Sequence, residues 1–145
     1  MTSTAQSGTD LGATTGVAAP ASAFGAAAGL VVDEVHATRV LGHIDLGPEH
    51  HTPWGVVHGG VYTTAVESAA SIGASFAVAE RGEFAVGLTN TTQFLRSLTA
   101  GRVGVEAVAL HQGRTQQFWR VEITDDRERL IAHGELRLQN LPRAR

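Results

Sequence analysis

The chain has 145 residues, no cysteine, and 11 basic residues, all arginine, against 14 acidic ones, for a net charge of −3. That length suits one domain with its own core, and the missing cysteine excludes disulfides, thiolate zinc sites and a cysteine nucleophile. The missing lysine excludes Schiff-base and P-loop lysine chemistry, and the negative charge argues against general nucleic-acid binding while leaving room for a local basic patch.

Residues 1–22 are rich in Ala, Thr, Ser and Gly and carry one charge, Asp10. They read as a disordered tail, with residues 23–145 as a single domain. No basic n-region with a compact apolar run marks a secretory signal. The most apolar stretch, Val56 to Ala79, is interrupted by Glu67 and by several Ser, Thr and Gly, so no membrane span is expected. A cytoplasmic protein is the expectation.

From Leu30 to Gly47 the pattern is β-rich: Val40, Gly42, Ile44 and Leu46 share one face at period two. "PEHHTPWG" reads as loop. A long helix follows, from Gly59 to about Glu80, stopped by Arg81-Gly82. Tyr62, Ala65, Ala69, Ile72 and Phe76 fall on one side of it and should face a sheet. Gly60, Thr63, Thr64, Glu67 and Ser71 form a stripe on the other, with the carboxylate at its centre.

After the helix the period changes to two. "FAVGLTNTTQFLR" alternates, with Phe84, Val86, Leu88, Asn90, Thr92 and Phe94 together. Val103, Val105, Ala107 and Ala109 follow, then Trp119, Val121 and Ile123, then Leu130, Ala132, Gly134, Leu136 and Leu138. Short links favour antiparallel neighbours. The predicted class is α+β, an antiparallel sheet with one dominant helix.

"VVHGGVYTTAVES" resembles hotdog-fold acyl-CoA thioesterases, in the branch of the phenylacetate-pathway and 4-hydroxybenzoyl-CoA thioesterases. The shared pattern is His58-Gly59-Gly60 before the helix with Glu67 two turns along. Asn90, "FLR" at Phe94 to Arg96, and "HQGRTQQFW" are further matches, over about residues 30–141. The resemblance implies a sheet wrapped around the helix and a homodimer or homotetramer with active sites at the dimer interface. It implies that Glu67 is the catalytic carboxylate and that the Gly59 amide polarises the thioester carbonyl. Ser71 stands where one type has a hydroxyl residue. Thr52 stands where that type has a glutamine, so its aromatic specificity is not carried over by the resemblance.

The residues suit that chemistry. A glycine-led helix start offers free N–H groups and the positive end of the helix dipole, and Gly59 and Gly60 let a carbonyl approach closely. Glu67 can attack the carbonyl or activate water. Ser71 could hold the water or the carboxylate, and His58 could order the helix start or touch the pantetheine arm. Read alone, Glu67 could instead be a buried structural carboxylate that bridges subunits.

For coenzyme A the expected contacts are Arg96, Asn90 and the Gly113-Arg114-Thr115 hairpin, since guanidinium suits phosphate and a hairpin can present amides. Coenzyme A is part of the substrate, and no separate cofactor is expected. His50, His51 and His58 lack a zinc-ligand arrangement, so no metal is expected. Trp54 and Phe84 could line the acyl pocket, with core packing the expected use of each. The leading function is acyl-CoA hydrolysis. The alternatives are a hotdog dehydratase or hydratase and a non-catalytic acyl-CoA-binding domain.

Overall fold

The computed structural model describes residues 22–145 and the backbone of Thr14–Thr15. The rest of the expected tail, 1–22, apart from Ser22 at the start of α1, lies outside the described residues. In chain order the elements are β1 (Thr14–Thr15), α1 (Ala23–Ala28), β2 (Val31–Val35), β3 (Arg39–Leu46), α2 (Gly59–Val78), β4 (Glu83–Phe94), β5 (Gly101–Gln112), β6 (Gln116–Thr124) and β7 (Leu130–Pro142).

The strands form one sheet in the order β1-β2-β3-β5-β6-β7-β4. Every neighbouring pair is antiparallel. Hairpins join β5, β6 and β7. The chain crosses from β3 through α2 to β4, which places β4 at the far edge, and crosses back from β4 to β5 beside β3. The sheet wraps α2, which is the hotdog arrangement.

The core lies between α2 and the concave face of the sheet. Val40, Ile44, Val103, Val105, Trp119, Val121, Ile123, Leu136 and Leu138 are buried there, as the period-two pattern predicts. Small residues bring helix and sheet together. A Cβ on Gly73 would lie 2.5 Å from the Trp119 ring, and one on Gly134 would lie 2.6 Å from a Val66 methyl.

Two expectations change. The buried face of α2 is Tyr62, Ala65, Val66, Ala69, Ala70, Gly73 and Ala74, while Phe76 is exposed and Ile72 only partly buried. The face is turned toward β4 because methyl and hydrogen side chains fit where the sheet curls closest. In β4 the pairing with β7 shifts register between Gly87 and Thr89, which leaves Leu88 as an extra residue. Such a bulge resets the alternation. Ala85 therefore points inward before it, and Asn90 and Thr92 turn toward the helix after it.

Candidate active site

The loop before α2 is fixed by its backbone. The His58 N–H donates to the His50 carbonyl at 2.8 Å, and the Val57 N–H to the Leu98 carbonyl at 2.9 Å. The His58 ring then caps the helix, as the Gly60 N–H donates to His58 Nδ1 at 2.8 Å. A cap of this kind satisfies one orphan donor and is worth roughly 1 kcal/mol. It needs a lone pair on Nδ1, so the ring proton sits on Nε2.

This changes the expected carbonyl site. The Gly60 N–H, expected beside that of Gly59, is occupied by His58. Among the described residues the Gly59 N–H meets no acceptor. A Cβ on Gly59 would lie 2.9 Å from Phe94 Cζ, so a side chain there would have to push that ring aside.

Glu67 lies half-buried on the same stripe of α2, facing β4. Asn90 Nδ2 donates to Glu67 Oε2 and to the Thr63 carbonyl, both at 3.2 Å. The Thr92 hydroxyl donates to Asn90 Oδ1 at 2.7 Å, which fixes the amide with its NH₂ toward the carboxylate. The other carboxylate oxygen fills the space where a Cβ on Gly87 would stand. No cation pairs with Glu67 among the described residues. One neutral amide leaves most of its lone pairs available to water or to a reacting carbon.

Asn90, expected with coenzyme A, is thus the residue that orients Glu67. Its signal was two residues long: Asn and Thr at i and i+2 of a strand facing a helix carboxylate. Ser71 lies one turn beyond Glu67 and makes no hydrogen bond to it.

The other expected contacts do not converge within one chain. Arg96 is exposed just past β4, at the end where Phe94 meets the helix start. Gly113, Arg114 and Thr115 turn between β5 and β6, beyond the other end of α2. There the Arg114 carbonyl accepts from Arg81 Nη2 at 3.0 Å.

Sequence reasoning missed what holds this hairpin. Asn140 Nδ2 donates to the Gly113 and Arg114 carbonyls at 3.3 and 3.2 Å, and the Asn140 N–H to the Thr115 carbonyl at 2.8 Å. The buried Gln117 supports Asn140, donating to its Oδ1 at 2.8 Å and to the Ala74 carbonyl at 3.0 Å, and it accepts from Trp119 Nε1 at 3.0 Å. Burial at a polar strand position is a tertiary property with no local pattern.

His50 and His51 are engaged by backbone. His50 Nδ1 accepts from the Gly47 N–H at 3.2 Å, and His51 Nε2 lies 2.6 Å from the Thr99 carbonyl. Trp54, expected in the core, is 84% exposed, because the Thr52–Val56 turn carries it outward; Phe84 is half-buried.

Comparison with known proteins gives this geometry a family. The Thioesterase superfamily model matches residues 55–132, from the turn before the helix into β7. An esterase candidate of Mycobacterium tuberculosis, Rv1847, is 42% identical over 120 residues, which cover 81% of this chain and 86% of that protein. Its solved structure matches with a TM-score of 0.80 at 41% identity, over 84% of this chain and 98% of that one. The 1,4-dihydroxy-2-naphthoyl-CoA hydrolase of Listeria monocytogenes is 35% identical over 103 residues, 71% of this chain and 83% of the hydrolase. The crystal structure of S. sahachiroi AziG matches with a TM-score of 0.79 at 35% identity, over 83% of this chain and 97% of that one. A family match across the glycine-led start, the helix acid and the strands that hold it makes this chain a member of the thioesterase superfamily, a thioester hydrolase of hotdog fold.

Proposed function

We propose that the chain hydrolyses an acyl- or aryl-CoA thioester to the free acid and coenzyme A, with Glu67 as the reacting carboxylate. The observation that carries this is a half-buried carboxylate with no cation partner, oriented by Asn90, two turns from an uncapped glycine N–H. The Gly59 N–H polarises the thioester carbonyl and stabilises the oxygen as it gains charge. Glu67 acts on the carbonyl carbon by one of two balanced routes. As nucleophile it forms an anhydride while the C–S bond breaks and thiolate leaves, and water then cleaves the anhydride. As general base it takes a proton from water, whose oxygen attacks the same carbon; the C–S bond then breaks, and the leaving thiolate takes up the proton that Glu67 holds. A single turnover in ¹⁸O-labelled water puts label into Glu67 only by the first route.

The test is turnover by Glu67→Gln, which keeps size and removes charge and basicity. The expected loss in kcat on the best acyl-CoA is at least ~10²-fold, the lower range for a positioned acid-base group. Turnover within threefold of the parent, by folded protein, would make Glu67 architectural. Enoyl-CoA in the same panel scores the hydratase alternative.

The same reading includes a homodimer through β4. This strand is 12 residues long and, among the described residues, pairs only with β7. No described strand lies along its other edge, and Leu88, Phe94 and Leu95 around it are 47%, 55% and 55% exposed. Open edges of that length invite a second strand. Glu67 lies against β4, so a second copy there would border the site. Arg96 and the Gly113-Arg114-Thr115 hairpin are the proposed coenzyme A contacts. No described helix is long and apolar enough to cross a membrane, and a cytoplasmic place belongs to the same proposal.

A further inference from the structure

Beside the helix start, between α1 and α2, lies an apolar cavity of about 280 Å³. Phe24 and Ala27 of α1 form one wall, and Val61, Gly60, Thr64 and His58 form the other. We propose that this cavity receives the far end of the acyl group, and that Phe24 selects aryl and medium acyl groups over long chains. The proposal rests on the thioesterase reading and adds a substrate class to it.

Three observations carry it. The first is continuity. Gly60, Thr64 and Glu67 follow one another at steps of four and three residues, which stacks them on one helix face. An acyl group whose carbonyl sits between the Gly59 N–H and Glu67 has a direct path over Gly60 and Thr64 into the cavity.

The second is Phe24 itself. The helix AFGAAA has no other side chain larger than a methyl, and its one ring is 73% exposed. α1 is nevertheless capped at both ends. Ser22 Oγ accepts from the Gly25 N–H at 2.9 Å. Gly29 ends the helix at φ +80°, and a Cβ there would lie 3.1 Å from His50 Nε2. The ring therefore stands at the cavity wall, and among the described residues most of its surface is free of contact. Contact with a substrate ring removes that surface from water, which favours binding.

The third is the polar inventory. Thr64 donates its hydroxyl proton to the Gly60 carbonyl at 2.7 Å, and His58 Nδ1 is used by the Gly60 N–H. What remains is the His58 Nε2–H as a donor and a lone pair on Thr64. The cavity suits an apolar ring with at most a hydroxyl or keto oxygen, and it offers nothing to a charged acyl group. Its volume lies at or below the lower bound of roughly 300 Å³ for whole-ligand pockets, so it holds one portion of a substrate.

The experiment compares the parent with Phe24→Trp, which fills the cavity, and Phe24→Ala, which opens it. The substrates are acetyl-, benzoyl-, 2-naphthoyl- and palmitoyl-CoA. The parent should favour the aryl thioesters over palmitoyl-CoA. The ratio of kcat/KM for 2-naphthoyl-CoA to that for acetyl-CoA should fall at least ~10-fold in Phe24→Trp, the order of discrimination that a pocket wall supplies. In Phe24→Ala the palmitoyl-to-benzoyl ratio should rise by a similar factor. Uniform changes across the panel, or none, would overturn the assignment. Binding of 2-naphthoyl-CoA is measured separately by calorimetry on the Glu67→Gln protein with and without Phe24→Trp. Weakening by the tryptophan supports the cavity even if no thioester is turned over, an outcome that would sink only the catalytic reading. Unchanged affinity overturns the cavity while leaving hydrolysis intact.

Discussion

Tyr62 is the single tyrosine of a chain that also lacks lysine and cysteine. Its ring packs in the core, 6.4 Å from that of Phe94, and its hydroxyl is buried without a partner among the described residues. Burial disfavours the phenolate and pushes the group from 10.0 up to about 12. The sign follows from linkage. The unfolded chain releases this proton first, so the stabilising effect of keeping it is whole below pH 10.0 and is lost as pH rises toward about 12. The slope over that window is ~1.4 kcal/mol per pH unit. Tyrosinate absorbance in the folded protein should titrate near pH 12 or appear only with unfolding. Ionisation near pH 10 in native protein would show that the hydroxyl reaches water. Tyr62→Phe should remove this alkaline limb. At neutral pH it should also raise Tm by about 3 °C, since an unpaired buried hydroxyl costs on the order of 1 kcal/mol.

At the scale of elements, β4 and α2 make the site together, and the bulge at Leu88 is the joint. Without the extra residue Ala85 and Asn90 would point to opposite faces. With it, Ala85 meets Ser75 at 3.0 Å while Asn90 meets Glu67 at 3.2 Å. Gly87, just before the bulge, leaves the space that the carboxylate fills. Gly87→Ala should displace Glu67 and lower kcat by at least ~10-fold, because reactive geometry is sensitive to shifts of an ångström. Its φ is not in the left-handed region, so the strand tolerates alanine. Kinetics of Gly87→Ala, Glu67→Gln and the double variant form a cycle, and the alanine should cost little more once Glu67 is gone. Multiplicative losses would mean that Gly87 acts independently of the carboxylate. The same joint marks how far the sequence was readable. Periodicity placed the strands β3 to β7 and the helix, β-rich composition covered β2, and the glycine-led start with Glu67 marked the candidate site. Strict alternation misread Phe84, Val86 and Leu88, because nothing local announces an inserted residue. It also hid the role of Asn90, which depends on what the bulge aims it at. The capping of Gly60 by His58 was hidden too, since it turns on a ring rotamer and not on spacing.

At the scale of the whole molecule, α2 has 20 residues, so it is roughly 30 Å long. Glu67 lies nearer its start, while Arg114 sits on the hairpin tied to Arg81, beyond its end. One coenzyme A reacting at Glu67 reaches its own chain's Arg114 only by running along the exposed helix. In the proposed dimer the geometry is shorter. Two identical edge strands related by a two-fold axis run antiparallel. Since β4 also runs antiparallel to α2, with Ala85 near Ser75 and Phe94 near Gly59, the helix end of one chain lies beside the helix start of the other. The second chain's Arg114 is then the one that approaches the first chain's Glu67. Complementation tests this. Arg114→Ala alone should raise KM for acyl-CoA more than it lowers kcat, the signature of lost uniform binding. Glu67→Gln alone should be nearly inactive. When the two proteins are mixed and allowed to exchange subunits, each mixed dimer contains one site with an intact Glu67 and an intact Arg114 only if the two come from different chains. The mixture should therefore recover turnover at low substrate, up to about one site in four by random exchange of equal amounts. If each site draws both residues from one chain, no intact site can form by mixing, and KM in the mixture stays that of Arg114→Ala.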